Sequence, residues 1–371
     1  MIFFKKNIVF ISSLCAALVS SFFIPPDRLY ANYFSYRTLT SLFCVLAVVC
    51  ALRNINFFSI IAGHLVTYFS NTRSCILAVV YITFIGSMLI ANDMALITFL
   101  PLGFYVLAGT DNEKYAAFLF IMQNIAANLG GMLTPFGNPQ NIYLYLYFNI
   151  PGIEFMRIML PSFILSIALI TVCCMCIKKG PMKLRHEYFY TLPGLHTLIY
   201  IILFIFSILI IFKIIPYQYG LIIIPVSLFF LDKKSLLMVD YPLLLTFTAF
   251  FVFAGNVSRM YTVQSFFTQF LDKSTFLSSI VSCQIISNVP SAILLSQFTS
   301  NYRELLTGVN IGGVGTFFAS LASLITFREY QRRYPKKILQ YSVLFLIFNF
   351  SFLIVLTAFQ HFINNSTMFQ N

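Results

Sequence analysis

Asn92-Asp93 lies between two apolar runs, Ile76–Ile90 and Met94–Leu107. A carboxylate midway along such a stretch costs about 3 kcal/mol or more in hydrocarbon unless it lines a cavity, or holds a proton or a cation. One helix further on, Asn128, Gly130, Gly131, Thr134, Gly137, Asn138, Pro139 and Asn141 fall within the single segment NLGGMLTPFGNPQN. Its three glycines and two prolines suffice to unwind a helix and leave carbonyls and amides unpaired. At membrane depth such backbone survives only where protein or a water-filled site satisfies it. Half-helix N-termini favour anions, whereas unwound carbonyls and C-terminal ends favour Na⁺ or H⁺. The chemistry these residues can do is therefore binding, of a small anion together with a coupling cation.

The same pair of features returns later in the chain. Ser287, Asn288, Val289, Pro290 and Ser291 interrupt a second apolar run, and Asn310, Gly312, Gly313, Gly315 and Thr316 follow. Aligned without a gap, Asn310–Ser320 matches Asn128–Asn138 at five positions of eleven. Paired interruptions in corresponding places of two halves point to the midplane binding site of a secondary transporter.

The elements that must position these groups are membrane helices. The chain has 371 residues, 59% apolar and 9% charged, and a mean hydropathy of +0.87, far from the roughly 25% charged residues of soluble domains. Apolar runs give spans near 7–24, 38–52, 55–70, 155–177, 196–214, 217–231, 241–258 and 336–362. Half-length helices meeting at Asn92-Asp93 form a re-entrant hairpin near 75–108, before a broken helix at 115–149. A second hairpin near 264–300 precedes a broken helix at 304–327. The expected fold is an all-α polytopic membrane protein of about ten crossings in two inverted-topology repeats, 1–180 and 196–371. A basic cytoplasmic linker, 181–195, joins them. With the N-terminus outside, fifteen of the 23 Lys and Arg fall in inner connections and eight outside, in the sense of the positive-inside rule.

The remaining polar residues read more simply. Ten of the eleven acidic residues fall in connections or at helix starts, and only Asp93 is deep. His64, alone in an apolar run, reads as a packed hydrogen-bonder before a proton relay. The eight cysteines lack the spacing of a zinc site or a disulfide framework. No phosphate-binding loop, G-x-S-x-G or H-E-x-x-H is present, so an enzyme is not expected. The net charge of +12 serves topology, and nucleic acid is not an expected partner. A passive channel is the non-carrier alternative.

At the two interrupted pairs the sequence resembles the ion transporter superfamily. That superfamily includes divalent anion:sodium symporters, citrate transporters, arsenite permeases and certain sodium/proton antiporters. The resemblance implies that hairpin tips and helix breaks bind the coupling ion, with substrate between the tips. Carried over, Ala91-Asn92-Asp93 and Ser287-Asn288-Val289 are the tips, while Gly130–Pro139 and Gly312–Thr316 are the breaks. Ala91, Asp93 and Val289 depart from the Ser-Asn-Thr tips of the anion:sodium branch. These departures weaken the case for sodium and strengthen the case for proton coupling through Asp93. The expected function is secondary transport of a small anion, a di- or tricarboxylate such as citrate or succinate, with H⁺ or Na⁺ as the only cofactor. The resemblance also implies an elevator motion in a homodimer within a bacterial-type inner membrane. Arsenite/proton exchange and sodium/proton antiport are the alternatives on the same fold.

Overall fold

The computed structural model describes residues 8–69, 71–107, 112–181 and 192–366; most of the expected 181–195 linker lies outside them. The described residues form eighteen α-helices joined by short connections and three 3₁₀ turns, an all-α polytopic membrane protein. Large apolar side chains such as Ile202, Leu221, Phe230 and Leu339 face outward, as a lipid-facing surface requires. Side chains in the connections start several helices. Asn71 accepts from Ser74 N, Asp240 from Leu243 N, Ser274 from Leu277 N and Ser320 from Ser323 N, each pairing an N–H that the helix itself leaves over.

The helices pack as two bodies. In the first, α1 (Ile8–Phe23) lies along α12 (Tyr241–Ser258), and α2 (Tyr36–Asn54) is wrapped by α9 (Gly194–Ile211), α10 (Tyr217–Leu231) and α11 (Lys233–Leu237). The second contains α4 (Thr72–Ile90), α5 (Asn92–Leu107), α6 (Ala116–Gly130), α7 (Pro139–Tyr147) and α8 (Gly152–Met175). It is completed by α14 (Thr275–Ile286), α15 (Asn288–Leu295), α16 (Tyr302–Ile311), α17 (Leu321–Arg333) and α18 (Ile338–Asn365). Short α3 (Phe57–Thr67) and α13 (Tyr261–Lys273) connect the bodies. The interface between them is aromatic: Tyr143 meets Phe251 at 5.6 Å, and Tyr145 meets Phe212 at 6.0 Å between ring centroids.

α8 serves as a ruler for orientation. Its 24 residues extend about 36 Å. The start of α4 is tied just beyond its C-terminal end, Thr72 N donating to Gly180 O at 3.0 Å and Arg73 Nε to Ile177 O at 2.6 Å. The start of α16, beside the base of α14, is tied to its N-terminal end, where Arg303 pairs with Glu154 at 2.8 Å. Glu304 Oε2 there accepts from Phe276 N at 2.9 Å. The α4–α5 and α14–α15 pairs therefore open toward opposite ends of α8.

Three expectations need correction. The span expected at 55–70 is α3, whose 11 residues reach only about 17 Å, too short for a bilayer core of about 30 Å. The sidedness built on that span fails as well. It put Arg28 inside and Arg259 outside, yet Asp27 pairs with Arg259 at 2.7 Å, which holds the Asp27 carboxyl below the usual carboxylate range. It likewise separated Arg53 from Lys233, whereas Asn54 Nδ2 donates to Asp232 Oδ2 at 2.8 Å. Next, the arms of the first hairpin are not half-length: α4 has 19 residues and α5 has 16, and only α14 and α15, with 12 and 8, are short. Finally, α13 overlaps the start of the expected 264–300 hairpin but is a separate amphipathic helix that ends before α14 begins.

Small residues let the interrupted helices approach. A Cβ on Gly130 would lie 2.2 Å from Phe84 O and 2.5 Å from Ser87 Oγ. Gly130→Ala therefore overpacks α4 against α6 and is expected to cost about 1–3 kcal/mol, read as a lower melting temperature of the detergent-purified protein. Gly194→Ala, where nothing lies within 4 Å, serves as control; equal melting temperatures for both variants would refute the close packing of α4 on α6.

Candidate functional site

Both hairpin tips turn through backbone that side chains rarely adopt. Ala91 has φ 65° and ψ 150°, and Ser287 has φ 78° and ψ 158°, a region occupied almost only by glycine, where strain of about 1–3 kcal/mol persists only if the surroundings impose it. What imposes it is the same in both places. Asn92 Oδ1 accepts from Asp93 N, and Asn288 Oδ1 from Val289 N, each at 2.9 Å. Each tip is then fastened to its helix break by a threonine. Thr134 Oγ1 donates to Met88 O at 2.8 Å, and Thr316 Oγ1 to Gln284 O at 3.1 Å.

These matches keep a strict register. Met88, Ala91 and Asn92 correspond to Gln284, Ser287 and Asn288, an offset of 196 residues; Gly130, Thr134 and Asn138 correspond to Gly312, Thr316 and Ser320, an offset of 182. Within each break the turn also repeats, Gly137 N donating to Thr134 O and Ala319 N to Thr316 O, both at 3.2 Å. The two offsets differ because the second hairpin's returning arm, the loop after it and the helix leading into the break are all shorter. The equivalence is one of backbone and not of chemistry throughout: Met88 aligns with Gln284, Ala91 with Ser287, Asp93 with Val289 and Asn138 with Ser320.

A relay of buried carboxamides joins the breaks. Asn141 Nδ2 serves Gly131 O at 3.1 Å, Thr134 O at 3.2 Å and Met132 O at 3.4 Å, restoring partners to carbonyls that the unwound backbone has released. Its Oδ1 accepts from Asn310 Nδ2 at 2.7 Å. Asn310 Oδ1 accepts from Asn138 Nδ2 at 3.2 Å and Gln140 Nε2 at 3.4 Å. At the first tip, Asn92 Nδ2 donates to Asn128 Oδ1 at 3.2 Å, and Asn128 Nδ2 to Asn124 O at 3.1 Å.

The second tip, the second break and the end of α6 converge at Gly313, and the first tip joins them through Asn128. A Cβ there would lie 3.1 Å from Asn288 Nδ2 and 3.6 Å from Asn128 Oδ1, so one amide from the second tip and one from the first break face each other across this glycine. Gly131 is equally confined, with Asn138 Oδ1 at 2.3 Å from a built Cβ and Gly137 O at 2.6 Å. Gly137 in turn closes on Gly131 O at 2.3 Å. Asp93 is half-buried, and its Oδ1 is fully buried with no hydrogen-bond partner among the described residues.

Other expected residues play supporting parts. Pro139 opens α7, where its missing N–H costs nothing. Ser291 shares a hydrogen bond of 2.8 Å with Ser282 inside the hairpin. Gly312 packs on Cys283 and Gly315 adopts φ 132°. In α15 the first-turn N–H groups are taken, Asn288 N by Ala319 O at 2.9 Å and Val289 N by Asn288 Oδ1, while Pro290 has none. That helix start offers an anion its field, and direct donation falls to side chains, Asn288 Nδ2 first among them.

Sequence reasoning missed the glutamines. Gln284 Nε2 donates to Gly312 O at 2.9 Å and Val314 O at 3.2 Å, and its Oε1 accepts from Thr316 N at 2.8 Å, so one side chain holds the second break open. Gln140 joins the relay, and Asn124 Nδ2 reaches Asn349 Oδ1 at 3.4 Å. The signal lies in their positions, Gln284 just before the second tip, Gln140 inside the first interrupted segment and Asn124 within the apolar run ahead of it.

From this geometry, Gly313→Ala is expected to weaken substrate binding at least tenfold while leaving the melting temperature within about 2 °C, because the methyl enters the space between Asn128 and Asn288. Binding of a panel of labelled small anions to purified protein is the check; affinities equal to wild type would remove Gly313 from the site.

Comparison with known proteins agrees with the architecture. The family model for citrate transporters matches residues 1–304. An uncharacterized transporter of Methanocaldococcus jannaschii, MJ0456, is 32% identical over 298 residues, covering 79% of this chain and 80% of its own. The inner membrane protein YbiR of Escherichia coli is 26% identical over 315 residues, covering 83% of this chain and 84% of its own. With two kinked tips and two broken helices linked by buried carboxamides, and with a family match over most of its length, the chain belongs to the citrate transporter family.

Proposed function

We propose that the protein is a secondary active transporter of a di- or tricarboxylate, driven by H⁺ or Na⁺, in a bacterial-type inner membrane. The observation that carries this reading is the meeting of the second tip and both broken helices at Gly313, to which the first tip is joined through the Asn92–Asn128 hydrogen bond. Such a point is reached from opposite ends of the molecule by two equivalent hairpins, the arrangement alternating access needs. Family membership supports the substrate class.

In this reading Asp93 carries the coupling ion. It is the one carboxylate at the tips, and its orphaned Oδ1 costs several kcal/mol as a bare charge in an apolar setting unless a proton or cation accompanies it. Neutral donors, Asn288 Nδ2 and the hydroxyl of Ser287, face the substrate. The body holding the tips and breaks moves as an elevator past the body of α1, α2 and α9–α12, with α3 and α13 as flexible arms and the aromatic contacts of Tyr143 and Tyr145 as the sliding surface. The two halves of the chain, each contributing to both bodies, form inverted repeats that cross the membrane nine times in all, with α3 lying along one interface. The N-terminus is then inside. Lys5, Lys6 and Arg53 move inside and Arg28 and Arg37 outside, which raises the inner count to sixteen of 23 basic residues and improves agreement with the positive-inside rule.

Proteoliposomes test this. Saturable accumulation of labelled citrate or succinate under an imposed proton or sodium gradient is expected, and Asp93→Asn is expected to lower gradient-driven accumulation at least 100-fold with normal expression. Full, normally coupled transport by Asp93→Asn would remove Asp93 from the mechanism. Absence of carboxylate uptake, with arsenite exchanged for protons in the same vesicles, would replace the substrate assignment.

A further inference from the structure

Arg259 and Arg303, at the outer ends of their helices, each have a carboxylate beside them, Asp27 at 2.7 Å and Glu154 at 2.8 Å. The inner corner between α17 and α18 is built differently. Arg332, Arg333, Lys336 and Lys337 crowd into six residues there, close behind Glu329. Glu329 Oε1 accepts from Arg333 Nε at 2.8 Å and Arg333 Nη2 at 2.7 Å, and from Arg332 Nη2 at 2.9 Å. Arg333 alone fills the two lone pairs of that oxygen, and its guanidinium also lies over Phe104, 3.9 Å from the ring centroid. Arg333 is thus engaged in holding α17 to α5. Arg332, its side chain 72% exposed, is a third donor on a filled oxygen. Lys336 and Lys337 are exposed on the 3₁₀ turn Pro335–Lys337 and make no ion pair among the described residues.

α18 leaves this corner with an apolar stripe. Leu339, Val343 and Ile347, each four residues from the next, are 80%, 50% and 55% exposed, and that spacing puts them on one face. From Leu339 to Ile347 the helix rises about 12 Å, most of one leaflet's share of a bilayer core of about 30 Å. The inner leaflet carries negative charge, and basic clusters immediately cytoplasmic of a spanning helix attract anionic headgroups. Corner and stripe match the two ends of one molecule, a phosphate and an acyl chain.

We propose that the α17–α18 corner binds an anionic phospholipid of the inner leaflet, its phosphate on Arg332, Lys336 and Lys337 and its chain along Leu339, Val343 and Ile347. The proposal rests on the sidedness of the reading above and not on its substrate. α17 runs directly from the second break, and Arg333 holds it to the returning arm of the first hairpin. A lipid bound here is therefore attached to the body that carries both hairpins and both breaks, not to the body of α1, α2 and α9–α12.

The test is native mass spectrometry of the detergent-purified full-length protein, titrated with phosphatidylglycerol or with phosphatidylcholine. It is read without transport, so that its failure leaves the carboxylate assignment to be judged by uptake. Wild type is expected to bind phosphatidylglycerol at least tenfold more tightly than phosphatidylcholine. Combining Arg332→Ala, Lys336→Ala and Lys337→Ala is expected to cut that preference at least fivefold, whereas Lys233→Ala with Lys234→Ala, which removes charge from the other body, leaves it unchanged. Equal binding of the two lipids by wild type, or an undiminished preference in the triple variant, overturns the proposal. Equal loss in both sets of variants also overturns it, since the preference then follows net charge alone. Displacement of phosphatidylglycerol by inorganic phosphate overturns it as well, because the corner then takes a free anion. If the triple variant does not insert, Lys336→Gln with Lys337→Gln decides: a loss of at least threefold is expected, and an unchanged preference counts against the site.

Discussion

Backbone that leaves the helix inside a membrane has no water to turn to, and this one constraint organises the protein. Two helices are broken, over 131–138 and 312–320, and the carbonyls released must be paired from within. The chain meets this with carboxamides. Asn141 gathers three carbonyls of the first break, and Gln284 serves two carbonyls and one amide of the second. Each side chain replaces helix bonds that are worth about 1 kcal/mol net when made and more when left unmade. The breaks are thus held open, and the polar atoms that hold them are the atoms available to bind.

Strain is placed in the same region. Ala91 and Ser287 sit in glycine-like backbone without being glycine, and each tip is pinned by its own asparagine and by the threonine of its break. Tip and break form one unit in each half, so a ligand that touches one acts on the other. The exchange of Asp93 for Val289 across an otherwise equivalent pair makes the two units chemically unequal. In the proposed mechanism that inequality separates the charged partner at the first tip from the neutral donors at the second.

Much of this was legible in the sequence. Gly, Pro and Asn within an apolar run have few structural meanings, so the two breaks and both tips could be placed from residue type alone. Other features left no such trace. Hydrophobicity does not distinguish a span from an 11-residue connecting helix such as α3, because both are apolar and only length against the bilayer separates them. The misreading of α3 then propagated into the sidedness of every earlier connection, until the Asp27–Arg259 and Asn54–Asp232 contacts corrected it. Nor can one sequence show that Asn138 and Gln140 share Asn310 across some 170 residues, since pairing at that separation depends on how the halves pack.

The most direct measurement is an experimental structure of the purified protein with citrate. The account predicts ligand density against Gly313, with a carboxylate oxygen within hydrogen-bonding distance of Asn288 Nδ2 and the first tip closing on its other side. Density elsewhere in the molecule, with the tips and breaks free of ligand, would contradict it.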